Sequence, residues 1–114
     1  MKVRRGSLAR WLVIAAAAAW GVASAADEAA ARYLAHQNAC FRCHGVSKHK
    51  EGPTWKDVAD KYRGDPGAAA HLTEHLATGR SVHLESGIER HHPIVKARRR
   101  EQIRNLVEWI LSRE

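Results

Sequence analysis

Cys40-Phe41-Arg42-Cys43-His44 is the stretch on which the reading of this chain turns. Two thiols two residues apart, with a histidine directly after the second, is the spacing of c-type haem attachment. Each thiol can add to one of the porphyrin's two vinyl groups, and the histidine then lies under the iron as the proximal imidazole. Cys40 and Cys43 are therefore read as the covalent anchors of one haem c and His44 as its first axial ligand. Two other chemistries use Cys-x-x-Cys. The thioredoxin-like redox motif belongs beside a βαβ unit, which this sequence lacks. A zinc site needs two more ligands. His71 and His75 stand one helical turn apart, but the gap to them from Cys43 exceeds the usual finger spacing. Neither chemistry explains why His44 follows Cys43 at once.

Upstream of the motif the chain reads as an export signal over residues 1–25. Lys2, Arg4, Arg5 and Arg10 form a basic start with no acid before Asp27, Leu12 to Trp20 is apolar, and Ala23-Ser24-Ala25 is a small-residue cleavage site. The apolar stretch is shorter than the ~20 residues a membrane-spanning helix needs, so an uncleaved anchor is the weaker reading. Arg4-Arg5 hints at a twin-arginine signal, but that route carries folded cargo. Haem attachment outside the cytoplasm calls for an unfolded exported chain, so the general secretory route and a periplasmic location are expected. The leader holds four of the 19 Lys and Arg and none of the 12 Asp and Glu. Residues 26–114 then carry 15 basic against 12 acidic side chains, a balance near +3 rather than +7. Global basicity is thus no argument for nucleic acid binding. What remains is one small domain with a thin core, and both of its cysteines are spent in the motif.

Around the motif the pattern is helical, with no alternating strand signal and no repeat. A helix is expected from Asp27, its N-cap, to about Asn38, with Tyr33, Leu34 and Gln37 on one face. A short helix follows near Lys56 to Tyr62 with Trp55 and Val58 inward, then the Gly64-Asp65-Pro66-Gly67 turn. Ala68 to Thr78 reads as a third helix, with Leu72 and Leu76 at i, i+4 and Gly79 as C-cap. Gly79 to Lys96 reads as a long functional loop. Ile103, Leu106, Val107, Ile110 and Leu111 give the last helix an apolar stripe with Trp109 on its flank. The expected class is all-α: about four helices around one covalently bound haem.

At this point the chain resembles the small bacterial class I c-type cytochromes, single-haem periplasmic carriers. Three places carry the likeness: Cys40 to His44; Gly52-Pro53 followed by Trp55-Lys56-Asp57-Val58-Ala59-Asp60-Lys61-Tyr62; and Glu108-Trp109-Ile110-Leu111-Ser112. The resemblance implies the class I fold, with N- and C-terminal helices crossing and one haem edge exposed. It also implies that the Pro53 carbonyl fixes the ring of the proximal histidine.

The sequence departs from the family where the second axial ligand should stand. Family members use a Met in a Met-Pro sequence before the last helix, but the only methionine here is Met1, in the leader. His91-His92-Pro93-Ile94 occupies the matching place, and Pro93 biases His92 towards an extended backbone that can turn its ring inward. His92 is the first choice for the distal ligand, His91 the second and His83 the third. The competing reading is that these rings face solvent and the iron is five-coordinate or carries water. His71 and His75 read as surface residues, and His36 and His49 have no better claim. Imidazole stabilises ferric iron relative to a thioether, so bis-His ligation implies a lowered potential.

Arg98, Arg99 and Arg100, with Lys96 and Arg90 near, precede the last helix without a Ser, Thr, Asp or Asn cap. The cluster is either a solvated charge run or a surface that steers an acidic redox partner or a small anion. The function expected is single-haem electron transfer with no enzymatic activity of its own. The alternatives are a haem sensor whose distal histidine dissociates to admit a small ligand, and the haem subunit of a larger oxidoreductase.

Overall fold

Apolar residues at helical spacing decide where the chain turns inward. In the computed structural model residues 25–114 are described, and the export signal expected over residues 1–25 lies outside them except for Ala25. Four α-helices follow in order: α1 Glu28–Gln37, α2 Trp55–Lys61, α3 Ala68–Thr78 and α4 Arg100–Leu111. A single 3₁₀ turn, Cys40–Arg42, carries the motif between α1 and α2. Asp27 caps α1 by accepting the Ala30 N–H at 3.0 Å, and Thr54 caps α2 by accepting the Asp57 N–H at 3.0 Å. Gly79 ends α3 in the left-handed region at φ 64°, as its place after the last periodic residue predicts.

α1 and α4 pack against one another, and α2 and α3 pack on α4. Leu106 of α4 is 0% exposed and meets Ala31, Leu34 and Ala35 of α1 in one core, which Trp55 and Trp109 join. Small alanines on α1 let the two helices approach closely. Full burial of one such leucine is worth roughly 1.5–3 kcal/mol. The crossing is pinned at its edge by a reciprocal pair. The Asp27 N–H donates to Asn105 Oδ1 at 2.8 Å, and Asn105 Nδ2 donates to the Asp27 carbonyl at 2.9 Å.

The structure corrects four local expectations. The inward face of α1 is Ala31, Leu34 and Ala35, while Tyr33 and Gln37 point to solvent. Trp109 is buried at 1% exposure rather than flanking the stripe, because it fills the space beside Trp55. The stretch read as one long loop folds partly into an antiparallel hairpin, β1 Ser81–His83 with β2 Glu89–His91. Its turn closes through the Gly87 N–H to the Leu84 carbonyl, with Gly87 at φ 82°. Strands of three residues show too little alternation to be read in advance, and the class stays helical. Finally, α4 does have a cap, supplied from inside the helix. Gln102 Oε1 accepts the N–H groups of Arg98 at 3.0 Å and Arg99 at 3.1 Å.

Candidate functional site

Between α2, α3, α4, the loop after the motif and the hairpin lies a cavity of about 760 Å³. This lies within the range of sites that enclose a cofactor. Its walls are largely apolar: Trp55, Val58, Leu72, Leu76, Val95 and Ile110 line it. Cys40, Cys43 and His44 reach it from the motif, and His92 reaches it from the segment after β2.

The motif is aimed by backbone. Ala39, the only non-glycine described residue with positive φ, stands at 55° and turns the chain out of α1 into the 3₁₀ turn. The His44 N–H then donates to the Cys40 carbonyl at 3.0 Å, and the Gly52 N–H to the Cys43 carbonyl at 2.8 Å. His44 Nδ1 lies 2.7 Å from the Pro53 carbonyl. A carbonyl can only accept, so Nδ1 carries the proton and Nε2 keeps a bare lone pair. Gly52 is required here: a Cβ at this position would stand 2.7 Å from His44 Cε1. On its far side the His44 ring stacks on Trp55 at 6.1 Å, and Trp55 meets Trp109 edge-on at 5.1 Å. The proximal imidazole is thereby seated on the core. Both thiols are free in the structure, and burial pushes the Cys40 thiol above its ordinary value.

His92 repeats the proximal arrangement. Its Nδ1 lies 2.8 Å from the Pro93 carbonyl, which again leaves Nε2 bare. The His44 and His92 ring centres are 6.0 Å apart. With metal–imidazole bonds of about 2 Å, two rings facing one metal from opposite sides would have centres roughly 6 Å apart, so the spacing suits His44 and His92 to hold one iron between them. His91, the second choice, is exposed and lies outside the cavity lining, with its Nδ1 3.2 Å from the Gly79 carbonyl. His83 stands at the mouth, 76% exposed and 3.7 Å from Glu89. His71 is exposed as expected. His75 is not: it is half-buried in the cavity wall, its ring centre 5.0 Å from that of His92. Burial, and then the neighbouring His92 and His71 rings, push His75 below the ordinary histidine value, and burial pushes His92 the same way against the opposing Pro93 hydrogen bond, so the fold favours the neutral imidazole at both.

The cavity carries charges of its own, apart from the basic cluster before α4. Arg98, Arg99 and Arg100 are exposed but do not line the cavity, and Arg100 is paired with Glu74. The cations on the lining are Lys61, Arg80 and Arg90, the last 3.6 Å from Glu51. Two contacts bridge the loop after the motif to the hairpin: Arg90 to Glu51, and His49 Nε2 to Glu85 at 3.1 Å.

Cysteine anchors, a lone-pair imidazole and an apolar cavity of this size define a class I c-type cytochrome. The cytochrome c family model matches residues 28–114, and the chain belongs to that family. Among curated relatives it is 38% identical to cytochrome c2 of Rhodocyclus tenuis over 89 residues, 76% of this chain and 92% of that protein. It is 29% identical to cytochrome c-552 of Hydrogenobacter thermophilus over 103 residues, 90% of this chain and 96% of that one. Among solved structures, the class 1 cytochrome MtoD of Sideroxydans lithotrophicus ES-1 matches with a TM-score of 0.72 and 45% identity. That match covers 77% of this chain and 97% of MtoD. The cofactor is one covalently attached haem c, and the described cavity, walled by apolar side chains beside Cys40 and Cys43, fits it.

Proposed function

We propose that this protein is a periplasmic single-electron carrier whose haem iron is held between His44 and His92, with Cys40 and Cys43 as thioether anchors. The observation that carries the ligand reading is the paired geometry of the two imidazoles. Each has Nδ1 tied to a proline carbonyl, and their centres stand 6.0 Å apart. The haem supplies a one-electron ferric/ferrous couple. The chain's own contribution is to keep both rings in one tautomer and orientation. Pro53 and Pro93 do this by accepting the Nδ1 protons, an arrangement that also raises the basicity of Nε2. Trp55, Val58, Leu72, Leu76, Val95 and Ile110 give the haem a largely apolar surround. Electron transfer to an acidic partner protein, guided by the exposed Arg98 and Arg99, fits this arrangement.

The test is potentiometric and spectroscopic. The holoprotein is expected to be low-spin in both oxidation states, indifferent to carbon monoxide, and lower in midpoint potential than a His92→Met variant. The upward shift in the variant should be a fraction of the ~0.8 V span over which axial ligands set haem potentials. A His/Met-like potential in the unmodified protein, or an unchanged potential in the variant, would remove His92 from the iron.

A further inference from the structure

Axial ligation by His44 and His92 leaves four other imidazoles on the cavity lining, and of these only His75 is half-buried while His49, His71 and His83 are exposed. His75 sits on α3, a helix of eleven residues packed on α4, and its half-buried ring stands 5.0 Å from His92, closer than His44 does. The segment bearing His92 is bonded to the end of the helix bearing His75. The His92 N–H donates to the Arg80 carbonyl at 3.0 Å and the Val95 N–H to the Leu76 carbonyl at 2.8 Å. The two imidazoles therefore belong to one wall of the cavity, His75 on the helix and His92 on the segment bonded to its end. His91 and His83, the neighbours in sequence, do not share this placement: one lies outside the lining and the other is 76% exposed at the mouth.

Resting on the His44/His92 reading above, we propose that His75 is a reserve axial ligand. It takes the sixth coordination position whenever His92 leaves it. The exchange breaks one iron–nitrogen dative bond and forms another from the His75 lone pair; no electron is gained or lost. It keeps the iron six-coordinate and closes the position against small external ligands while the His92 segment moves.

The test uses haem-loaded full-length protein in four forms: unmodified, His75→Ala, His92→Ala and the double variant. Absorption and electron paramagnetic resonance report spin state at neutral pH, before and after adding imidazole. Unmodified protein and His75→Ala should both be low-spin. His92→Ala should stay low-spin with altered g values, and the double variant should become high-spin and return to low-spin with imidazole. That return shows that the cavity is still folded. High-spin iron in His92→Ala that imidazole converts to low-spin overturns the reserve role and leaves His44/His92 ligation standing. A double variant as low-spin as His92→Ala also overturns it, since another side chain has then taken the place. High-spin iron in His75→Ala alone overturns the His92 assignment itself, and the reserve role with it.

Discussion

Gly52 shows how narrowly single residues set this site. A methyl group there would press on the His44 ring edge at 2.7 Å, and His44 is braced behind by Trp55. Gly52→Ala is therefore expected to tilt the proximal imidazole or break its bond to Pro53. The readout is a changed ferric electron paramagnetic resonance spectrum and a shifted midpoint potential, whereas unchanged spectra would show that the ring has room to give. The motif residues were legible in the sequence because their chemistry depends on local spacing, which a one-dimensional reading preserves. His75 was not legible. Its place beside His92 depends on the hydrogen bonds between the end of α3 and the segment after the hairpin, which join residues far apart in the chain. The same limit applies to Gln102: a cap is searched for before a helix, but this one reaches back from within it.

The helices draw their stability from different sources, and substitutions should separate them. α2 has only seven residues, too short to persist on propensity alone, so it leans on its cap and on Trp55. Thr54 is 5% exposed and accepts the Asp57 N–H. Thr54→Ala should cost about 1 kcal/mol in denaturant unfolding. α4 instead depends on its buried stripe. Leu106→Ala should cost roughly 2–5 kcal/mol, a large part of the stability of so small a domain. A loss below that of Thr54→Ala would place the core elsewhere. The stripe was readable because its period repeats over three turns. The hairpin was hidden because strands of three residues, Ser-Val-His and Glu-Arg-His, repeat nothing. α1 misled on its exposed face, where Tyr33 invited burial that the alanines opposite it had already provided.

Across the whole molecule, charge is distributed so that part of the basic cluster is spent internally. Arg100 pairs with Glu74, leaving Arg98 and Arg99 as exposed cations at the entry to α4. Electron-transfer rates with an acidic partner should fall as ionic strength rises, since surface steering is screened over about 10 Å at 0.1 M salt. Arg98→Gln combined with Arg99→Gln should flatten that dependence while leaving the potential unchanged. Rates that ignore both salt and the substitutions would assign docking to another face. The reciprocal bonds between Asp27 and Asn105 carry a consequence in time rather than in space. They join residues 78 positions apart, and the core they border is shared between the first helix and the last. A chain emerging from its N-terminus cannot complete that core until the final helix arrives. Until then the stretch from Cys40 to His44 stands outside a finished core, with its two thiols open to the chemistry that links a haem to them.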